Sequence, residues 1–507
     1  MPRLNPILYY VVYCQGIVAG VTVAPGIYGV LVGEYKSFIM IIYGVTIGFI
    51  VFFLKIFCRP SRPLTLEDAI LIAVASWTLV PILSAIPISL YLGLPFIDSW
   101  FEAVSGFTTT GLTMFSGTVD KDFNTYIPSV EELPRSVLFW RSLIQWIGGL
   151  GILVVLTALA LSGGLPSHLV GFAEGRYERL EPSLARSLRR LLIVYLFLTL
   201  LAAILFYSTG MPPFDAINHA MTALATGGFS THSNSIGYYD DPVLEGVVVL
   251  AMIWGATNFA THYKILFKGS LRAPLNDPEL RMFVLLAVIG SLATTYTLYS
   301  KSHYDITNAL RYAVFQFISA MTGTGFQTTS LTNVPDETKF ILTVACLIGG
   351  SYLSTTGGIK IYRLLVATYT ISWTTKRVAN IRGIVIKYRI GTKPLDFEEL
   401  MRNVSIIFSF AILWALGTIA TLMTVKTNLA NAGLEAASAL GTVGVSSGIT
   451  GAHIPLTLKL IYIALMSLGR LEIIPYIMAM RILISRTKLF LKTKIEERTT
   501  NQRTPRI

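Results

Sequence analysis

Apolar runs of about 20 residues recur along the chain, each long enough to cross roughly 30 Å of hydrocarbon as a helix. They fall at 7–31, 38–57, 69–92, 139–161, 191–207, 244–266, 282–298, 340–370, 406–423 and 456–482. The polar segments between them alternate in kind. Arg and Lys gather in 55–62, 176–190, 264–281, 360–402 and 481–506. The segments between those hold most of the acids: Asp120, Asp122, Glu131, Glu132, Asp240, Asp241, Asp336 and Glu337. Basic loops mark the cytoplasmic side of a polytopic protein. The pattern predicts an all-α membrane protein with ten crossings and both termini in the cytoplasm.

From the third run onward one unit repeats four times: helix, re-entrant segment on the acidic side, helix, basic loop. A helix pair at 1–66 precedes units at 67–190, 191–277, 278–399 and 400–507, the last ending in a basic tail. Each re-entrant segment turns at a glycine after small polar residues. The four are Thr109-Thr110-Gly111-Leu112-Thr113, Thr226-Gly227-Gly228-Phe229-Ser230, Gly323-Thr324-Gly325-Phe326-Gln327 and Thr442-Val443-Gly444-Val445-Ser446. The last is close to the Thr-Val-Gly-Tyr-Gly signature of a potassium-channel filter. Four such loops would supply a complete ring of carbonyls to replace the hydration shell of a cation.

Aligning Gly111, Gly228, Gly325 and Gly444 tests the repeat. Nine residues earlier stand Glu102, His219, Gln316 and Glu435, and six earlier Ser105, Thr222, Ser319 and Ser438. Thirteen earlier stand Asp98, Asp215, Tyr312 and Asn431, three of which suit a helix N-cap. The columns fit a short helix capped near the outer surface, with Glu102 and Glu435 favoured by its positive end. Its carbonyl end then points toward the membrane centre. Irregular backbone at that depth needs a water-filled path to line. Small-residue packing between helices is the competing reading, but packing does not account for the matched upstream columns.

Composition supports the membrane class. Of 507 residues 53% are hydrophobic and 13% charged, and the mean hydropathy is +0.63; soluble domains carry about 25% charged residues. The formal charge of +12 follows the loop alternation and so argues against a nucleic-acid partner. Cys14, Cys58 and Cys346 lie in or beside apolar runs without a CxxC pairing and read as buried small hydrophobes. No GxSxG, HExxH or P-loop is present, and Gly148-Gly149-Leu150-Gly151 follows no strand, so an enzyme is not expected. His219 and His232 lack a third partner for a metal, and no cofactor is expected. Without a nucleotide site the chain cannot couple to ATP hydrolysis by itself, which leaves the membrane potential as the driving force for ion entry.

The chain resembles the Trk/Ktr/HKT superfamily of potassium transporters, and within it the TrkH type. The resemblance rests on Phe101-Glu102-Ala103-Val104-Ser105-Gly106-Phe107-Thr108-Thr109-Thr110-Gly111, Trp140-Arg141-Ser142, Gln145-Trp146-Ile147-Gly148-Gly149-Leu150-Gly151 and Phe214-Asp215-Ala216-Ile217-Asn218-His219-Ala220. It implies a potassium-selective pore with a filter at the four glycine loops and a pseudo-fourfold arrangement. It also implies a homodimer and a separate cytosolic ring of nucleotide-binding, TrkA-like subunits. Relatives with serine at one of the four glycines tend to admit sodium, so glycine in all four places implies potassium. The stretches 176–190 and 376–393 are the candidate docking faces for that ring, and anionic membrane lipid fits the same charge.

Two further elements match the family's gate. Gly349-Gly350-Ser351-Tyr352-Leu353-Ser354-Thr355-Thr356-Gly357-Gly358 interrupts an apolar span, and relatives place this loop below the filter as a movable constriction. Tyr352 and Leu353 depart from the small residues usual there. Lys360 follows and either anchors the loop or snorkels to the helix end. Arg470 lies within the last apolar run, where a buried charge needs a pore or a partner; in relatives it protrudes into the permeation path. A pair with Glu472, two residues on, is disfavoured on a helix. His262, with Asn258, reads as a packing histidine. Symport with H⁺ or Na⁺ and a non-conducting sensor remain the alternatives to a potential-driven pore.

Overall fold

Helix is the form in which an apolar run satisfies all its backbone groups within hydrocarbon, and helices dominate the computed structural model. It describes residues 3–62, 64–151, 184–270, 272–302, 304–379, 389–390 and 393–503. The end of the 139–161 run, residues 176–183 of one candidate docking face, 380–388 and 391–392 of the other, and 504–507 of the tail lie outside the described residues.

Two helices open the chain, α1 (Pro6–Leu31) and α2 (Phe38–Phe57). α1 packs on the first unit, while α2 turns Phe49, Phe52 and Phe53 outward, as a lipid-facing helix does. The units follow. The first is α3 (Leu66–Leu92), short α4 (Phe96–Phe107) and α5 (Arg135–Leu150). The second is α6 (Leu184–Ser208), short α7 (Pro213–Leu224), α8 (Pro242–Ala256) and α9 (Phe259–Lys268). The third is α10 (Pro278–Lys301), α11 (Ile306–Met321), α12 (Asp336–Ile348) and α13 (Ile361–Val378). The fourth is α14 (Phe397–Thr424), α15 (Leu429–Gly441), α16 (Leu456–Leu471) and α17 (Ile473–Arg503). Side chains of Thr65, Asp277 and Asp396 cap the starts of α3, α10 and α14 on the basic side.

Among the described residues six single helices are long and apolar enough to cross a membrane: α1, α2, α3, α6, α10 and α14. The expected single spans at 244–266 and 456–482 are instead bent pairs. α8 and α9 meet at 99°, and α16 and α17 at 100°. The first bend comes where Thr257 is extended and Asn258 caps a new helix through Ala260 N, 2.8 Å away. The second comes at Glu472, which has a φ of +60°. Arg470 therefore lies in the last turn of α16 and not in mid-helix.

Each short helix sits inside a sheath of long ones. Ala216, Ala220 and Leu224 of α7 pack with Val194 and Leu198 of α6 and Val248 and Met252 of α8. Phe101 and Val104 of α4 pack with Tyr462 and Leu465 of α16. Three glycines let the sheath reach the backbone: a side chain at Gly148, Gly255 or Gly469 would strike the carbonyl of Phe107, Leu224 or Leu440, at the ends of α4, α7 and α15.

The first unit also carries a hairpin, Ser116–Asp120 paired antiparallel with Thr125–Ser129, that the hydropathy pattern did not mark. It brings Asp120 to Lys459. That lysine is wholly buried on α16 and donates to Asp120 at 2.7 Å and to Asp98 of α4 at 2.6 Å. The first and fourth units are thereby clamped on the acidic side.

Candidate functional site

The four glycine loops leave the C-terminal ends of α4, α7, α11 and α15 and converge. Gly111, Gly228, Gly325 and Gly444 have φ of +89°, +71°, +81° and +91°. Two residues earlier Thr109, Thr226, Gly323 and Thr442 have φ of +55°, +52°, +68° and +53°. The same alternation thus occurs in all four. Positive φ suits glycine and is strained elsewhere; the threonines hold it because the helix end is closed identically each time. The amides of Thr110, Gly227, Thr324 and Val443 donate to the carbonyls of Ser105, Thr222, Ser319 and Ser438 at 2.8–3.0 Å. The six-before column is the helix residue that receives the turning strand.

The loops close on one another in order. A side chain at Gly111 would run into the carbonyl oxygen of Gly227, and one at Gly228 into that of Thr324. One at Gly325 would meet Val443, and one at Gly444 would return to Thr110. Each glycine thus packs against the residue before the glycine of the next loop, and the fourth contact completes a ring.

The nine-before column holds the outer leg of each loop. Glu102 accepts from Thr113 Oγ1 at 3.0 Å and Met114 N at 3.1 Å. His219 Nε2 lies 2.9 Å from Ser230 Oγ. Glu435 accepts from Ser446 Oγ at 2.6 Å and Ser447 N at 2.8 Å. Gln316 donates to the Thr329 carbonyl at 3.0 Å. These side chains are tethers in the middle of their helices, not charges at the helix starts.

The thirteen-before column is not a set of caps. Pro95, Pro212, Asp305 and Asn428 occupy those positions. Asp98 instead meets Lys459, and Asp215 accepts from Thr231 Oγ1 at 2.8 Å and Tyr239 Oη at 2.9 Å. Proline at the first helical position is itself a start signal, and it was available in Pro213 of α7.

Two residues of the quoted motifs hold more of the site than the sequence reading assigned them. Arg141 is buried, with Nε 2.7 Å from Glu102 Oε1, Nη1 3.0 Å from the Ser230 carbonyl and Nη2 3.2 Å from Thr113 Oγ1. Its guanidinium lies 4.1 Å from the Phe229 ring centroid. One side chain thereby joins loop one to loop two. Gln145 donates to the Gly227 carbonyl at 2.6 Å and accepts from Phe229 N at 2.9 Å. Outside the spans Glu131 adds a third tie to Ser233 N at 2.7 Å. Burial acts to raise the Glu131 pKa, and the Ser233 hydroxyl and amide outweigh it and hold the group below its ordinary value.

Replacing Arg141 with methionine strands Glu102 as a buried carboxylate without its cation. Removing one partner of such a pair costs about 3–5 kcal/mol. Thermal unfolding of the detergent-solubilised chain is expected to drop accordingly, with Arg141→Lys failing to restore it because one ammonium cannot reach three acceptors.

The interrupting loop 349–358 lies against the ends of the short helices and the glycine loops that leave them. Thr355 Oγ1 is 3.1 Å from Thr226 Oγ1 and donates to the carbonyls of Leu224 at 2.9 Å and Gly255 at 3.0 Å. A side chain at Gly357 would strike Thr442. Gly349 and Gly358 have φ of +73° and +74°, and Gly350 abuts the Ala256 carbonyl. Ser351 N and Thr355 N donate to the Ala256 and Gly255 carbonyls at 2.9 and 3.2 Å, and Phe259 N to that of Leu353 at 2.8 Å. The loop is thus docked in the α8–α9 bend.

The Tyr352 ring points away toward Tyr362, 5.5 Å between centroids. Its bulk leaves the contacts with the glycine loops to Thr355 and Gly357. Lys360 is buried, and its Nζ donates to Thr356, so it ties the loop and does not snorkel. Arg470 Nη1 donates to the Thr355 carbonyl at 2.5 Å and Nη2 to that of Gly148 at 2.6 Å. Glu472 turns to Arg363, 2.5 Å away, leaving Arg470 to the loop. His262 Nε2 lies 3.0 Å from the Trp254 carbonyl, a packing contact at the bend. Among the described residues no group of three or more His, Cys, Asp or Glu converges as a metal site.

Known proteins match this chain over most of its length. The family described as "TrkH: Cation transport protein" matches residues 39–492. An uncharacterized cation transporter of Methanocaldococcus jannaschii is 30% identical, with 93% of this chain and 94% of that protein aligned. The Trk system potassium uptake protein TrkH of Salmonella typhimurium is also 30% identical, covering 82% and 85%. The crystal structure of the potassium transporter TrkH from Vibrio parahaemolyticus superposes with a TM-score of 0.77 at 25% identity, covering 93% of this chain and 98% of that one. Such relatives are transporters and not enzymes. The chain is an integral membrane protein of the TrkH cation transport family.

Proposed function

We propose that this chain takes up potassium through one pseudo-fourfold pore per subunit. The units are 67–190, 191–277, 278–399 and 400–507, with 1–66 as an appended helix pair. The ring of glycine-to-carbonyl contacts carries the reading. A chain that places four left-handed turns in register, each against the next, presents backbone oxygens toward one axis, which is how a filter replaces water around a dehydrated cation. Thr109 Oγ1 and Thr442 Oγ1 at the inner end are buried without a hydrogen-bond partner among the described residues, as expected of ligands for an ion or its water. The names of the Salmonella and Vibrio relatives, both potassium proteins, support potassium as the cargo.

Flow through such a pore is driven by the membrane potential, worth about 2.3 kcal/mol per charge per 100 mV. The loop 349–358, Lys360 and Arg470 act as its gate. A separate cytosolic nucleotide-binding ring opens it from the basic side, the chain works as a homodimer in the plasma membrane, and both termini are cytoplasmic. The test is potassium flux into proteoliposomes under an imposed potential with sodium as competitor. Entry that follows the potential and resists sodium is expected. No flux, even with a cytosolic ring protein added, would favour a sensor; flux that needs a proton or sodium gradient would favour symport.

A further inference from the structure

The α8–α9 bend turns ten residues out of the direction of α8 and gives them two characters. Phe259 to Tyr263 are buried. Beyond them Lys264, Leu266, Phe267 and Lys268 are exposed, Leu266 at 44% and Phe267 at 41%. The turn that follows exposes Arg272, Leu275 and Arg281, Leu275 at 69%. The start of α6 joins the corner, with Arg186, Arg189 and Arg190 exposed and the Arg190 guanidinium 4.9 Å from the Phe267 ring centroid.

Among the described residues, acids do not answer this charge. Asp277 caps α10 and accepts from Thr261, and Glu279 is buried, holding Tyr352 N at 2.7 Å. Elsewhere on the basic side Arg62 and Arg486 are neutralised by Asp68 and Glu67. At the corner no ion pair is formed by Arg186, Arg189, Arg190, Lys264, Lys268 or Arg272 among the described residues.

We infer that this corner binds the headgroups of anionic phospholipids and that the bound lipid steadies the loop 349–358. A short helix carrying cations beside exposed Leu and Phe has the composition of an interfacial segment. Cations alone would suit any soluble phosphate. The intervening Leu266, Phe267 and Leu275 need hydrocarbon, which only a lipid supplies beside its phosphate. The link to the loop is direct: Phe259, the first residue of α9, donates its amide to the Leu353 carbonyl, and Glu279 of α10 accepts from Tyr352 N. Any effect on transport rests on the pore reading above; lipid binding and loop protection do not.

The experiment compares the full-length parent with Lys264→Gln/Lys268→Gln/Arg272→Gln and, as control, with Arg486→Gln. Native mass spectrometry counts retained phosphatidylglycerol against phosphatidylcholine. Hydrogen–deuterium exchange in nanodiscs of each lipid reads residues 349–358. The parent is expected to prefer phosphatidylglycerol, to lose about a hundredfold of that preference in the triple variant, at about 1 kcal/mol for each of three cations near an anionic surface, and to keep it in the control. Phosphatidylglycerol should slow exchange of the loop in parent and control only. Unchanged retention in the triple variant, or inorganic phosphate displacing the lipid completely, would overturn the site. Loop exchange indifferent to lipid in the parent would overturn the coupling, whatever the flux assay gives.

Discussion

Gly111→Ser is expected to lower the potassium-to-sodium permeability ratio by roughly tenfold or more, equivalent to about 1.4 kcal/mol of lost discrimination. Two effects act at this position. The φ of +89° disfavours any side chain by about 1–2 kcal/mol. The new carbon also collides with the Gly227 carbonyl. That carbonyl has little room to retreat, because Gln145 Nε2 holds it at 2.6 Å. The strain therefore spreads into the ring, altering the spacing and orientation of oxygens on which ion choice depends. Gly93→Ser separates the two effects. Gly93 has a φ of +69° and open space around it, so it reproduces the backbone strain without the collision. Its permeability ratio, taken from reversal potentials in proteoliposomes, should match the parent. A Gly111→Ser protein that elutes and unfolds like the parent with an unchanged ratio would remove Gly111 from the filter.

Much of this site was legible because polar groups inside apolar segments have few explanations. Glycine and threonine at matched positions pointed to irregular backbone, and the Gly-Ser-Thr run at 349–358 could not continue a helix. The polarity of Glu102, His219, Gln316 and Glu435 was visible too, but its purpose was not. A column shows that a side chain needs a partner, and only the return of the loop shows that the partner is its own outer leg. The thirteen-before column misled for a related reason. Asp98 and Asp215 look like caps in isolation, yet their partners lie outside the helix start, Lys459 being 361 residues from Asp98. Contacts across units leave no local trace, which is also why Arg141 and Gln145 were noticed only as motif members. Asn258 before Phe259 was a readable helix start. Glu472 at positive φ offered no such signal.

Arg470→Ala is expected to raise potassium flux of the chain alone, without any cytosolic subunit, by about tenfold or more. The guanidinium spans two elements: the Thr355 carbonyl in the loop and the Gly148 carbonyl near the end of α5. Hydrogen bonds from a charged donor contribute about 1.5–3 kcal/mol each, so losing even one shifts a loop equilibrium by around tenfold. The positive charge contributes separately, since a cation beside the path opposes another cation's passage. Two further substitutions divide these causes. Arg470→Lys keeps the charge but cannot span both carbonyls, and Arg470→Gln keeps a donor without the charge. Lysine conducting like alanine would assign the restraint to the bridge, because the loop is freed while the repulsion stays. Glutamine conducting like alanine, with lysine like the parent, would assign it to charge. The geometry favours the first outcome: Thr355 is the residue whose hydroxyl also grips Leu224, Gly255 and Thr226, so releasing its carbonyl loosens the loop where it touches the second glycine loop. An alanine variant no more active than the parent would take Arg470 out of the gate and leave the loop's restraint to Lys360 and the α8–α9 bend.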